Sequence, residues 1–201
     1  MAQPVLGGRY RIQRHLARGG MAEVYLARDE LLDRPVAVKV LFPELARDAS
    51  FVERFRREAQ AAARLNHPNI VSVYDFGSDG EASYIVMEYI TGLTLSELIR
   101  DEAPMDPRRA IPIAAAVAAG LDAAHREGIV HRDVKPANVL VADGVVKVAD
   151  FGIARASYAR TDLTMPGMVV GTSTYLSPEQ ARGGAVDQRS DLYSLALVLY
   201  E

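Results

Sequence analysis

The stretch HRDVKPAN at residues 131–138 places three side chains of different chemistry within six positions. The Asp133 carboxylate is able to accept a proton from a hydroxyl group, and the Lys135 ammonium neutralises negative charge near it. The Asn138 amide oxygen is a suitable ligand for a divalent cation such as Mg²⁺. An isolated acidic residue in a turn is often only a local cap, so this interpretation needs support from elsewhere in the chain.

Two further motifs supply that support. The sequence DFG at residues 150–152 follows a strand pattern, and a carboxylate beside a flexible glycine suits a second Mg²⁺ ligand. Gly19-Gly20 separates two strand patterns, where backbone amides are able to approach phosphate groups. Taken alone, such a turn is usually a simple hairpin. It is neither a Walker-type loop nor a Rossmann fingerprint, since no GxxxxGK[ST] occurs and the glycines lead from strand into strand.

Lys39 and Glu58 are predicted to be partners. Lys39 lies in the strand pattern VAVKV and is one of only three lysines among 23 basic residues. This scarcity indicates that the lysines present occupy positions where a compact ammonium group is needed. On a helix predicted over residues 50–65, Glu58 shares a face with apolar side chains, and a carboxylate there needs a partner. The alternative is that Lys39 is a solvated lysine at the edge of a sheet.

The periodicity predicts strands first and helices later. Strand patterns occur at residues 10–16, 23–26, 36–40, 70–74 and 84–88. One helix interrupts them, with Ser50 to Glu53 as its capping box. Helical patterns follow at residues 93–101 and 107–127, then two short strands, then a helical pattern from Asp191. This order predicts an α+β protein with a smaller β-rich lobe and a larger helical lobe.

Composition excludes several classes of protein. The 201 residues are 49% apolar and carry a formal net charge of −3, which argues against nucleic acid or a membrane surface held by bulk charge. The absence of cysteine excludes disulfides and Cys-ligated zinc. The longest apolar run is too short to cross a bilayer, so we expect no membrane segment in this chain.

Together the motifs resemble the signature series of protein kinases. The phrases FRREAQ (55–60), HRDVKPAN (131–138) and YLSPEQAR (175–182) are similar to bacterial, eukaryotic-like serine/threonine kinases of the receptor type. The resemblance covers residues 9–201 and implies a bilobal α+β kinase fold. It implies a tail at 1–8, an N-lobe over about 9–87, a hinge over about 88–92 and a C-lobe over about 93–201. It also implies further helices after Glu201, so we expect the C-lobe to be incomplete in this chain.

The resemblance also implies a reaction, transfer of the γ-phosphoryl group of ATP to Ser or Thr hydroxyls of proteins, with autophosphorylation. In this reaction Asp133 would orient or deprotonate the hydroxyl, and Lys135 would contact the γ-phosphate. Asn138 and Asp150 would hold Mg²⁺ or Mn²⁺, and Asp191 would anchor the backbone of the catalytic loop. Lys39, paired with Glu58, would hold the α- and β-phosphates. The other ATP-binding residues implied are Leu16, Ala17, Arg18, Gly19, Gly20, Val24, Ala37, Met87, Glu88, Ile90 and Leu140.

The implied partners are protein substrates bearing Ser or Thr, and a second copy of the chain for trans-autophosphorylation. The implied location is cytoplasmic, with a membrane tether supplied by a C-terminal segment absent here. Two alternatives remain at this stage. A truncated or pseudokinase-like module would bind ATP without turnover, and a small-molecule phosphotransferase of kinase-like fold would prefer small alcohols. Lys135 and the sequence SPE at 177–179 argue against the second alternative.

Arg132, beside Asp133, predicts control by phosphorylation, because a phosphate on the following loop would pair with its guanidinium. The regulatory candidates are Arg132 itself with Thr161, Thr164 and Thr172, and the spacing to Gly171-Thr172 favours Thr164. We expect phosphosite mapping of the active protein to find Thr164 modified. Active protein with unmodified Thr164 would contradict this prediction.

Overall fold

The computed structural model describes residues 3–151 and 173–201, which divide into two compact units. The first unit covers the chain up to Arg64 together with Ser72–Tyr89. The second unit comprises Leu65–Val71 and the chain from Ile90 onwards. None of the helices within the described ranges is long and apolar enough to cross a membrane.

The first unit is built on an antiparallel sheet in the strand order β1-β2-β3-β4-β6-β5. Its strands are β1 (Val5–Leu6), β2 (Tyr10–Arg18), β3 (Ala22–Asp29), β4 (Arg34–Leu41), β5 (Val73–Asp79) and β6 (Ala82–Glu88). Helices α1 (Pro43–Ala46) and α2 (Ala49–Ala62) lie between β4 and β5 in the chain. The sheet with its helices agrees with the β-rich first lobe that the sequence predicts.

Alternation along β4 separates two apolar layers. Val36 and Val38 point to one face, where they pack with Tyr10, Tyr84 and other buried side chains. Leu41 points to the opposite face, where it packs with Phe55 and Ala59 of α2. Lys39 lies on the same face as Leu41 because the two are two residues apart. The strand period therefore directs Lys39 towards the helix that carries Glu58.

The start of α2 differs from the predicted capping box. Asp48 is the N-cap residue, and its Oδ1 accepts the Ser50 N–H at 2.8 Å. Glu53, which a capping box would turn back to Ser50, instead pairs with Arg56 and Arg57 on the following turn at 2.8 and 2.9 Å. Ser50 was therefore the wrong cap, since Asp48 stands two residues earlier in the extended conformation that an N-cap requires.

The second unit is mainly helical. Its helices are α3 (Leu95–Glu102), α4 (Pro107–Arg126), α5 (Pro178–Ala181) and α6 (Gln188–Tyr200). A small antiparallel sheet has the order β7-β8-β9, formed by Leu93–Thr94, Val139–Ala142 and Val145–Val148. Short 3₁₀ turns occur at Pro136–Asn138 and Ser173–Tyr175. The mixture of a sheet unit and a helical unit confirms the predicted α+β class.

The predicted strand at residues 70–74 was wrong in position. Residues 70–71 join the second unit instead, where Val71 N–H donates to the Val148 carbonyl at 2.9 Å. The strand that pairs with β6 begins only at Val73. Gly120 of α4 allows this arrangement, because a Cβ there would lie 2.8 Å from the Asn69 carbonyl oxygen. A run of β-branched residues predicts a strand but does not say which sheet it joins.

We expect Asp48→Ala to lower the free energy of unfolding by about 1 kcal/mol, because it removes the side-chain acceptor at the start of α2. Ser50→Ala serves as the control and should change the free energy of unfolding by less than about 0.5 kcal/mol. Urea denaturation of the three proteins measures both values. A larger loss in Ser50→Ala than in Asp48→Ala would restore the capping box as the true helix start.

Candidate active site

The β2–β3 hairpin carries the predicted phosphate-binding turn. The Gly19 N–H donates to the Ala22 carbonyl at 2.8 Å, which closes the turn. A Cβ on Gly20 would meet no atom of the described residues within 4 Å, so among them open space lies beside this part of the backbone. Six predicted ATP-binding residues lie in this turn or in the two strands that it joins: Leu16, Ala17, Arg18, Gly19, Gly20 and Val24. Leu16 and Val24 are half-buried, and the other four are exposed.

The sheet register brings other predicted residues onto one face. Val24 lies opposite Lys39, and Ala37 lies opposite Met87. Because residues directly opposite in a ladder share a face, and Ala37 and Lys39 are two apart, all four side chains point the same way. Ala37 and Met87 are buried at 7% and 8% exposure. The first unit thus presents a small apolar area beside a single ammonium group.

Lys39 and Glu58 form a buried ion pair between β4 and α2. The distance from Lys39 Nζ to Glu58 Oε1 is 2.9 Å, and the side chains are only 10% and 8% exposed. Removing an ammonium or a carboxylate from water costs several kcal/mol, and close pairing offsets that cost. Strand alternation and helix periodicity both lead to this contact, so the solvated-edge alternative for Lys39 does not hold.

Two further predicted residues, Glu88 and Ile90, lie near the division between the units in the sequence, and a third, Leu140, lies in β8. Glu88 ends β6, where its N–H donates to the Ser72 carbonyl at 2.9 Å and its Oε2 accepts the Ser72 N–H at 3.2 Å. Ile90 and Leu140 belong to the second unit, and both are half-buried. Leu140 lies in β8 opposite Thr94 and Lys147.

Asp133, Lys135 and Asn138 meet in the loop before β8. Lys135 Nζ lies 2.9 Å from Asp133 Oδ2. Asn138 Nδ2 donates to the Asp133 backbone carbonyl at 2.8 Å and to Asp133 Oδ2 at 3.2 Å. The side chains of Asp133 and Lys135 are 18% and 22% exposed. The structure therefore places a partly exposed carboxylate beside an ammonium group and a buried amide.

Asp191 holds the start of this loop, as the resemblance implied. Its Oδ2 accepts the His131 N–H at 2.8 Å, and its Oδ1 accepts the Arg132 N–H at 2.7 Å. The His125 ring Nε2 lies 2.7 Å from the same Oδ2. Asp191 is 1% exposed and sits in the first turn of α6, where the helix dipole favours negative charge.

His131 packs the loop from within and carries a fixed tautomer. Its Nδ1 accepts the Asp133 N–H at 3.2 Å, so its Nε2 holds the hydrogen and donates to the Ala149 carbonyl at 3.0 Å. The ring packs on Phe151 at a centroid distance of 4.6 Å. Complete burial lowers the pKa of the His131 imidazole below its usual range, although nearby carboxylates act in the opposite sense. His131 is therefore a neutral spacer in this loop.

Two residues of the site adopt the left-handed backbone conformation that favours glycine. Arg132 has φ +68° and Asp150 has φ +57°. Such residues cost on the order of 1–3 kcal/mol and persist where surrounding contacts enforce them. Within the described residues, the Arg132 Nε finds no hydrogen-bond partner. Thr161, Thr164 and Thr172, the other regulatory candidates, lie outside the described residues.

The oxygen donors of Asn138 and Asp150 fit a divalent cation. Because the Asn138 amide nitrogen is directed at Asp133, the amide oxygen points away from that carboxylate. The Ala149 N–H donates to the Asn138 carbonyl at 2.9 Å, which brings the residue before Asp150 against the loop. One carboxylate and one amide, completed by phosphate oxygens and water, are the kind of site that Mg²⁺ takes in proteins.

The sequence analysis missed two side chains that help to hold this loop: His125, which contacts Asp191, and Gln180, which contacts the loop itself. Gln180 Nε2 donates to the Arg132 carbonyl at 2.8 Å. A signal for His125 existed, because it stands four residues after the buried Leu121 on the same face of α4. Ser177 and Gln180 also have the spacing of a capping box, but that pattern does not show what the amide nitrogen reaches.

Comparison with known proteins finds a family model and relatives of similar sequence. The family model described as protein kinase domain matches residues 10–201. Serine/threonine-protein kinase PknB of Mycobacterium leprae is 56% identical over 203 residues, which cover 98% of this chain and 33% of the relative. Serine/threonine-protein kinase PrkC of Bacillus subtilis is 50% identical over 197 residues, with 98% and 30% coverage. The chain thus spans about a third of the length of these curated relatives.

A solved structure shows the same similarity. The crystal structure of the M. tuberculosis PknI kinase domain matches with a TM-score of 0.79 and 35% sequence identity. The match covers 100% of this chain and 74% of the other. The similarity therefore extends over both compact units of the present chain.

Neutral His131 predicts a pH dependence of stability. In the unfolded chain the imidazole gains a proton as the pH falls through about 6.5, while the buried ring resists protonation. The unfolded state then binds more protons, so the free energy of unfolding falls below pH 6.5 by up to about 1.4 kcal/mol per pH unit. His131→Asn should make this slope shallower between pH 6.5 and 5, as measured by urea denaturation. An unchanged slope would contradict the assignment of a neutral ring.

Proposed function

Because this chain belongs to the protein kinase family and has its fold, we propose that it transfers the γ-phosphoryl group of ATP to Ser or Thr hydroxyls of protein substrates, itself included. The observation that carries the proposal is the cluster of Asp133, Lys135 and Asn138, with contacts of 2.9 and 3.2 Å to Asp133 Oδ2. Relatives at 50–56% identity are named serine/threonine-protein kinases, which supports the choice of substrate hydroxyl.

Asp133 is the residue that would receive or orient the substrate hydroxyl. Its carboxylate is partly exposed and is held by the Asn138 amide, so one oxygen has a fixed direction. A positioned carboxylate that accepts the hydroxyl proton raises the nucleophilicity of the oxygen as the phosphorus–oxygen bond forms. Lys135 would neutralise the charge that spreads over the transferring phosphoryl oxygens.

Lys39 would hold the α- and β-phosphates of ATP. Glu58 keeps the Lys39 ammonium at a defined position, since the ion pair is buried and is 2.9 Å long. The backbone of the Gly19-Gly20 turn would approach the phosphates, and Leu16, Ala17, Arg18 and Val24 of the same hairpin would cover ATP. Adenine would contact the side chains of Ala37, Met87 and Leu140 and the backbone of Glu88 and Ile90.

Asn138 and Asp150 would hold the divalent cation, which we propose to be Mg²⁺ or Mn²⁺. Protein kinases as a family use ATP with a divalent metal, and oxygen donors of this kind suit either ion. When bound, the cation neutralises phosphate charge. The left-handed φ of Asp150 fixes the direction in which its carboxylate leaves the backbone.

The chain would also have a hinge and a site of control by phosphorylation. Residues 88–92 would form the hinge, and the division of the chain into two units after Tyr89 supports this proposal. Phosphorylation at Thr164, or at Thr161 or Thr172, would provide a partner for the Arg132 guanidinium. Protein substrates, trans-autophosphorylation by a second copy and a cytoplasmic location complete the proposed function.

Transfer of labelled phosphate from ATP with Mg²⁺ to a generic protein substrate tests the proposed function. We expect Asp133→Ala to lower kcat by about 10²–10⁴-fold, which corresponds to about 3–5 kcal/mol in the activation barrier. Asp133→Asn should also lose the signal, because the amide accepts no proton.

Asp122→Asn is the matched control, since this exposed residue of α4 pairs with Arg126 at the surface. It should retain the parent rate. Near-normal single-turnover rates in Asp133→Ala would remove Asp133 from its role. ATP binding with no transfer by the parent chain would identify a nucleotide-binding module instead.

A further inference from the structure

The peptide group between Arg132 and Asp133 is held from both sides. Its carbonyl oxygen, which belongs to Arg132, accepts Gln180 Nε2–H at 2.8 Å. Its N–H, which belongs to Asp133, donates to His131 Nδ1 at 3.2 Å. The preceding N–H, that of Arg132, donates to Asp191 Oδ1 at 2.7 Å. These contacts together enforce the φ of +68° at Arg132, immediately before the proposed catalytic carboxylate.

The Gln180 side chain is itself fixed by a capping box at the start of α5. Its Oε1 accepts the Ser177 N–H at 3.1 Å, while the Gln180 N–H donates to Ser177 Oγ at 3.4 Å. Ser177 is fully buried. With Oε1 committed to Ser177, the amide nitrogen has a single orientation, directed at the Arg132 carbonyl. The opposite assignment would place two acceptor oxygens against each other.

The segment that carries Gln180 is anchored on α6, the helix that also supplies Asp191. The Ser194 hydroxyl donates to the Tyr175 carbonyl at 2.7 Å, and the Ser190 hydroxyl donates to the Glu179 carboxylate. Helix α6 thus holds the loop through Asp191 and holds residues 175–179 through Ser190 and Ser194. The contact of Gln180 with the Arg132 carbonyl then links this segment directly to the loop.

We propose that Gln180 is a positioning residue for phosphoryl transfer, because its amide sets the orientation of the peptide that precedes Asp133. The proposal rests on the proposed function, in which Asp133 acts on the substrate hydroxyl. A carboxylate at position 180 would still accept the Ser177 N–H and complete the capping box. When ionised it cannot donate to the Arg132 carbonyl, so only the contact with the loop is lost.

Gln180→Glu therefore separates positioning from folding. At pH 8 we expect kcat to fall at least tenfold with the KM for ATP within twofold of the parent, as measured with labelled ATP and a generic protein substrate. Gln188→Glu, an exposed change of the same kind at the start of α6, is the matched control and should retain the parent kcat. A kcat for Gln180→Glu within twofold of the parent would overturn the proposal.

The pH dependence of the activity of Gln180→Glu distinguishes positioning by Gln180 from a purely structural role. Once protonated, the carboxyl group introduced by Gln180→Glu regains a donor for the Arg132 carbonyl. The activity of this variant relative to the parent should therefore rise from pH 8 to pH 5.5. A relative activity that stays low and flat across this range would assign the loss to general damage and overturn the proposal.

Amide hydrogen exchange tests the same contact without catalysis. We expect the N–H groups of Arg132 and Asp133 to exchange at least tenfold faster in Gln180→Glu than in the parent and in Gln188→Glu. If the parent transfers no phosphate but this acceleration is seen, the proposed function fails, while the orientation of the Arg132–Asp133 peptide by Gln180 stands. If the parent is active and exchange at Arg132 and Asp133 is unchanged, the positioning role fails and the function stands.

Discussion

The buried carboxylate of Asp191 is the constraint on which the second unit depends. A carboxylate that is 1% exposed is tolerable only when its oxygens are fully engaged, and here two backbone N–H groups and the His125 ring provide the partners. The N-terminal turn of α6 adds a favourable dipole. Because Asp191 fixes the backbone at His131 and Arg132, the loop from His131 to Asn138 has a defined conformation. The three chemistry-bearing side chains of that loop then meet because their backbone has no freedom to place them elsewhere.

Both units keep a charged group in place by burial, but they do so differently. In the first unit an ammonium and a carboxylate share one close contact, so loss of either side chain strands the other charge. In the second unit a single carboxylate is satisfied by neutral donors of the main chain and an imidazole. Arg132 and Asp150 adopt the left-handed backbone conformation, so other contacts in this unit must offset its conformational cost. Donors and acceptors arranged in advance need little rearrangement when charge develops on a substrate.

Local periodicity explains what the sequence could predict. The faces of β4 and α2 follow from periods of 2 and 3.6 residues, so the partnership of Lys39 and Glu58 was predictable without a structure. The cap of α2 was not, because Asp48 and Ser50 both fit the preference and only backbone conformation distinguishes them. Residues 70–71 were misplaced because β-branched composition does not identify the sheet that a strand joins. Gln180 was missed since its partner is 48 residues away, a distance that no pattern covers.

The partners that shape the loop also come late in the chain. Arg132 is held by side chains 48 and 59 residues downstream, in Gln180 and Asp191. During synthesis, which proceeds from the N-terminus, the sheet of the first unit has all its strands before either partner has left the ribosome. Non-local contacts must also meet the entropy of closing the intervening segment before they stabilise anything. A nascent chain therefore carries the sequence HRDVKPAN before the side chains that hold its loop, Gln180 and Asp191, have been synthesised.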